Sequence, residues 1–415
     1  MSRAPVDRRL ADDPAARRAV IALGLFSLAE QAVWVTVLVI AHRSGGVAEA
    51  GTVSAALMLP AAVVAPFAKR EVHDSGLRHP LPASYAMQTG ALVLATATLA
   101  LGLDPIVFYL SAAMVTVTVV FSRPAHHAVL ARHGSTVAAT VATGVATGAA
   151  QLGGPLLAAG LIAVVGPTSV FAVATCLLAA AALLTLRVEP VDDDQRSREP
   201  GSPRPDRVLR PVRSGCDPRP GLARPGIARG SLAVLGVLGM VTLVLGTIES
   251  IATEVSWRLG STGSGTGVLL GAAGAGLLVG ARLGGAVVAR RGVCPALRVG
   301  AVLVALGLLG LGVPLGRAGA AAAFALVGAG MQTVTVGGWV LLHRTAGAAT
   351  GRVFGLLEGL QLVTGAIGAG LAGVGVAHWG VWPVLVTASA ALPMAALPLS
   401  AARVHRLAPG GVQVA

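Results

Sequence analysis

One lysine and three cysteines in 415 residues, with aromatic residues at only 3%, bound the chemistry open to this chain. Cradling the phosphates of ATP takes a glycine-rich loop closed by Gly-Lys-Ser or Gly-Lys-Thr. The lone lysine, Lys69, stands in "PFAKRE", so ATP binding of that kind is excluded. Cys176, Cys216 and Cys294 are too widely spaced for a metal-ligand pattern or a disulfide framework. The nine histidines fall in or beside predicted loops, so no metal site and no nucleophile–base pair is expected. Neither an enzyme activity nor a cofactor follows. Gly368-Ala-Gly370-Leu-Ala-Gly373 spells a dinucleotide fingerprint, but it lies in an apolar run with no strand before it and reads as helix packing.

Charge is scarce as well. Charged residues make up 12% of the chain, against roughly a quarter in an average soluble domain. Apolar residues reach 54% and mean hydropathy is +0.78, so the lipid bilayer is the natural solvent. The net charge of +13 would suggest nucleic acid in a soluble protein; here it is read as orienting the chain in the bilayer, with no nucleic-acid partner.

About 20 apolar residues are needed to cross ~30 Å of hydrocarbon. Twelve segments qualify, at about 19–41, 47–68, 82–103, 105–122, 137–163, 168–186, 231–253, 264–288, 296–316, 318–342, 353–377 and 380–402. With both termini cytoplasmic, 27 basic residues fall on the inner side and three (Arg43, Arg258, Arg317) on the outer, with Arg282 inside the eighth span. That asymmetry is what the positive-inside rule demands of a multi-pass cell-membrane protein, and an odd span count would scramble it. Residues 187–230 hold eight prolines and 17 charges, which cannot build a core, and read as a disordered cytoplasmic linker. The expected organisation is a tail (1–18), a six-helix bundle (19–186), the linker, a second bundle (231–402) and a tail (403–415).

The two bundles look like repeats. Lys69-Arg70 follows span two as Arg290-Arg291 follows span eight, and Arg123 and Arg132 follow span four as Arg344 and Arg352 follow span ten. On these features the chain resembles the major facilitator superfamily, from about Arg18 to Arg403. The family's loop signature places a glycine, three residues, an acid, a basic residue and a later glycine. Gly285, Arg290 and Gly292 match it, with Ala289 where the acid would stand, and the first half keeps Lys69 and Arg70. The resemblance implies that these loops help to govern opening. "SRPAHHAVLARH" and "GRVFGLLEG" are similar to inner loops of bacterial exporters in the superfamily. "GVATGAAQLGGPLLAAG" in span five shares Gly154-Pro155 with its antiporter signature, though Ala158 and Ala159 replace the closing glycines. Small residues allow close helix approach and proline bends the helix, so the physical property survives.

The resemblance implies an all-α fold of two six-helix halves around a central cavity lined by the first helix of each half. Span one, "IALGLFSLAEQAVWVTVLVI", holds one charge, Glu30, twelve residues from both Arg18 and His42 and so near the midplane. An ionised acid there costs about 3 kcal/mol unless it meets water or a partner. Glu30 is therefore either a proton- or cation-binding group, with Gln31 and Trp34 beside it, or a structural acid bonded across to another helix. Glu249 of span seven is the counterpart, a cavity residue or a group wetted at the outer mouth. Gln88, Gln151 and Gln332 are further polar groups at membrane depth, as helix–helix bonds or substrate contacts. The expected function is secondary transport of a small apolar or cationic molecule, as efflux by proton antiport. A facilitator or importer of the same fold, and a scaffold or sensor acting through the central loop, are the alternatives.

Overall fold

The computed structural model describes residues 13–74, 80–133, 136–186, 229–261, 263–314, 316–346 and 350–401. Each described helix is long and apolar, and no strand occurs among the described residues. In chain order they are α1 (Pro14–Asp74), α2 (Pro80–Leu101), α3 (Pro105–His133), α4 (Thr136–Val164), α5 (Pro167–Leu186), α6 (Arg229–Arg258), α7 (Gly263–Arg291), α8 (Val293–Leu311), α9 (Gly316–Ala346), α10 (Thr350–Trp379) and α11 (Val381–Ala401). Proline opens several of them, where its missing N–H costs nothing. Asp13 and Asp104 accept from the amides of Ala15 and Ile106, capping α1 and α3.

α1 is two membrane passes joined at a break. Gly45 and Gly46 leave helical geometry, and Gly46 adopts φ 70° and ψ −160°, a region open essentially to glycine alone. Arms 14–44 and 47–74 thus supply spans one and two, and the eleven helices give the twelve passes expected from the sequence. Side chains such as Leu101, Val164 and Leu371, at 71, 85 and 67% exposure, cover the outside of the bundle as lipid-facing groups do.

The helices pack in two groups. Before residue 187 the 14–44 arm lies at the centre, with Phe26, Ala29 and Val33 against Tyr85, Leu92, Phe108, Val115 and Phe171. After residue 228, α9 packs backbone-close on both neighbours. Gly276 and Gly280 of α7 lie against Ala325 and Ala329, and a Cβ on Gly300 of α8 would sit 2.6 Å from the Gly330 carbonyl. Lipid provides no hydrophobic drive between helices, so such small-residue contacts supply the association. Residues 187–228 and 402–415, holding nearly all of the expected linker and the final tail, lie outside the described residues.

The groups meet along two seams. The 47–74 arm packs on α10, where a Cβ on Gly51 would sit 2.5 Å from the Ala369 carbonyl and 2.7 Å from Gly373 Cα. α4 packs on α7, with the carbonyls of Gln151 and Pro155 against Gly274 and Gly267. Proline lacks an N–H, so the Gln151 carbonyl, four residues before Pro155, has no intrahelical donor and lies free to face α7. These backbone-close approaches lie between mid-helix and the arginine-poor end, the end that carries Arg43, Arg258 and Arg317. The groups are closed together there.

Candidate functional site

The first arm of α1 and helix α6 cross where the seams converge. Trp34 Nε1 donates to Glu249 Oε2 at 2.9 Å, one helix from each group and 215 residues apart in sequence. Trp34 lies eight residues from His42 and Glu249 nine from Arg258, about 12–14 Å below the arginine-poor end at 1.5 Å per residue. That is close to the middle of a ~30 Å hydrocarbon core. Glu249 is buried, at 8% exposure.

Glu30 lies one turn from Trp34, toward the arginine-rich end, and is half-buried. It lines a small void inside the first group with Phe26, Val33, Gln88, Leu92 and Val119. Two acids therefore share one neighbourhood, Glu249 at the contact between groups and Glu30 on the first group's side of it.

Gln31 is half-buried against α4, where a Cβ on Gly154 would approach the Gln31 Cβ to 2.5 Å. Gly154 and Pro155 are buried inside α4, so the helix-bend motif sits where α4 is wedged between α1 and α7. Gln151 and Gln332 are half-buried, and among the described residues no side-chain hydrogen bond joins either to the acids. Gln88 is fully buried and bonds Ser122 Oγ at 2.6 Å and Ser84 Oγ at 3.3 Å, while its carbonyl oxygen meets no donor among the described residues. Of the loop residues, Gly285, Arg290 and Arg291 are exposed at the arginine-rich end of α7, and Gly292 turns the chain into α8 with φ 91°. The side chains of Lys69 and Arg70 lie outside the described residues. Arg282 is exposed.

Two of the histidines read as lying in or beside loops, His42 and His126, are buried within helices. α3 runs eleven residues past the apolar stretch that ends at Ser122, and carries His126 into contact with the Tyr85 hydroxyl. Phe26 lies against both rings. The readable signal was spacing: Ser84 and Gln88, and Ser122 and His126, are each four apart and so share a helix face. α1 likewise continues past Ile40, so that His42 is 7% exposed and packs on Trp257 of α6 with ring centroids 4.6 Å apart. His42 Nε2 lies 3.9 Å from Glu254 Oε2, and Arg258 Nε holds Glu254 Oε1 at 2.7 Å.

Twelve apolar passes in two helical groups, meeting around a midplane acid, define a multi-pass membrane protein of transporter architecture. Residues 19–356 match the Major Facilitator Superfamily, and the chain belongs to it. Its fold is shared with the nucleoside transporter NupG (13% identity, TM-score 0.65, 94% of this chain and 98% of that one). It is shared also with a D-xylose–proton symporter (13%, TM-score 0.69, 91% and 95%) and the human organic anion transporter MFSD10 (19%, TM-score 0.59, 95% and 100%). No curated protein matches the sequence significantly.

Proposed function

We propose that the protein is a proton-coupled exporter of a small apolar or cationic molecule, working by alternating access in the cell membrane with both termini cytoplasmic. The 19–186 and 231–402 bundles rock about the midplane site, and the arginine-poor end faces outward. The observation that carries this reading is the Trp34–Glu249 bond, with Glu30 one turn away. An ionised Glu249 accepts a charge-assisted bond from Trp34 and can pair with a cationic cargo, and protonation removes the charge from both interactions. Proton and cargo then exclude one another, which is what couples two opposed fluxes. Two acids at the midplane suit cationic or neutral cargo better than anionic.

The test is an everted vesicle with an imposed pH gradient and a lumenal acidity dye, challenged with lipophilic cations and neutral drugs. A compound that dissipates the gradient in wild type, but in neither Glu30→Gln nor Glu249→Gln, supports antiport through this pair. Equal dissipation in all three removes the acids from the mechanism. Cargo flux that persists in both variants without proton movement makes the protein a facilitator.

A further inference from the structure

The arginine-poor seam contains a second titratable group that the transport reading does not use. His42 ends the first arm of α1, Glu254, Trp257 and Arg258 end α6, and the two sets meet across the groups. α7 completes the seal, with a Cβ on Gly263 reaching to 3.4 Å from the Arg43 guanidinium. The imidazole is enclosed, and its Nδ1 has no hydrogen-bond partner among the described residues.

A neutral imidazole has one N–H and one bare nitrogen, whereas the imidazolium has two N–H groups to satisfy. With its proton on Nε2, 3.9 Å from Glu254 Oε2, the neutral ring leaves Nδ1 as a lone pair with no partner among the described residues. A proton on Nδ1 would create a buried, charged donor with nowhere to donate, which is the costlier arrangement. The charged groups around the ring point the same way. Among the described residues Glu254 is the one acid within 4 Å of it, and it is already engaged by Arg258 at 2.7 Å. Arg43 adds a positive charge on the same helix, and Arg317 of α9 reaches the carbonyls of Leu259 and Gly260 just beyond α6. The stretch of α7 packed here carries no charge before Arg282. The Trp257 ring and Glu254 favour the imidazolium, while burial, the bare Nδ1 and three arginines oppose it. Opening the seam brings water to Nδ1 and removes that opposition.

We propose that His42 is a proton-binding site at the outer seam, occupied only when the seam is open, so that acidity outside holds the carrier open to the outside. The proposal rests on alternating opening of the two groups but not on Glu30 or Glu249 carrying protons. Its test therefore reads conformation and not transport.

The full chain, with its three cysteines replaced by serine and nitroxides placed at Ser44 and Ser261, is reconstituted in lipid nanodiscs. Spin–spin distances are measured between about pH 8 and about pH 5, the range over which imidazole titrates. Acidification is expected to populate a longer distance, raising the open-to-closed ratio about tenfold for each tenfold gain in proton affinity on opening. The measurement is made in a Glu30→Gln, Glu249→Gln background, so that the midplane acids do not titrate; there acidification still lengthens the distance, and adding His42→Gln abolishes that remaining response. Glu254→Gln, which keeps His42 and removes the acid beside it, enlarges it. A response that survives His42→Gln in that background, is missing from the background itself, or shrinks in Glu254→Gln overturns the proposal. So does a distance that shortens on acidification, because His42 and Glu254 would then act as a latch that acid tightens.

Discussion

Adding one methyl group at Gly51 tests whether the seam between the 47–74 arm and α10 sets the conformational balance. An alanine Cβ at that position would sit 2.5 Å from the Ala369 carbonyl and 2.7 Å from Gly373 Cα, both of them backbone atoms that no side-chain rotation can move. Ordinary contact begins at 3.4 Å, so the helices must part locally by about 0.9 Å or lose the contact. Overpacking of this kind costs about 1–3 kcal/mol, while the preference of a helix for alanine over glycine acts equally in both conformations and cancels. The cost falls on the closed seam alone, since an open seam has room for the methyl group. The fraction open at the arginine-poor end should therefore rise about 5–150-fold. The assay is the labelling rate of a cysteine at position 31, in a chain otherwise free of cysteine, by an impermeant maleimide added from that side. Gly24→Ala, where nothing lies within 4 Å of the added atom, is the control and should leave the rate unchanged. An unaltered rate in folded Gly51→Ala, or an equal rise in the control, would refute the reasoning.

Trp34→Phe keeps the ring but removes the donor to Glu249, stranding a buried acceptor at a cost of about 1–3 kcal/mol, and should raise the same labelling rate. Combining it with Glu249→Gln should give less than the sum of the two single effects, because the two residues share one interaction; additive effects would show that they are energetically independent. Gly46→Ala forces a methyl group into backbone geometry that only glycine adopts, and should lower the melting temperature in detergent by about 2–5 °C without altering the labelling rate ratio between pH values.

Hydropathy and arginine placement made the twelve passes legible because each is a property of one segment and its own loops. The break at Gly45–Gly46 was legible for the same reason, as two glycines between two apolar runs. Helix ends were another matter. Hydropathy falls where lipid ends, but the backbone hydrogen bonds of α1 and α3 continue through polar residues, and His42 and His126 were lost from view with them. The partner of Glu249 was hidden more deeply. Nothing near either residue links positions 34 and 249; the bond exists because α4 and α10 bring the groups together, and that depends on glycines whose faces a single sequence does not reveal. The midplane depth of Glu30 was readable by counting, whereas its position on the first group's side of the contact needed the void shared with Gln88 and Leu92.

The same physics that hides the seam also makes it reversible. In lipid, apolar faces gain little by meeting one another, so the closed end is held by dispersion between glycine-lined backbones and by a few polar ties. Two of those ties are visible: Trp34 to Glu249 at mid-depth, and His42 beside Glu254 and Arg258 at the end. Shifting a two-state balance from 1:99 to 99:1 takes about 5.5 kcal/mol. Two ties of about 1–3 kcal/mol each supply a large part of that, and each contains an ionisable side chain. A seam cemented by bulky interlocking side chains would be too costly to open on such terms. A seam of glycines leaves the balance to a handful of polar atoms, and in the mechanism proposed above Glu249 and His42 are the ionisable groups among them.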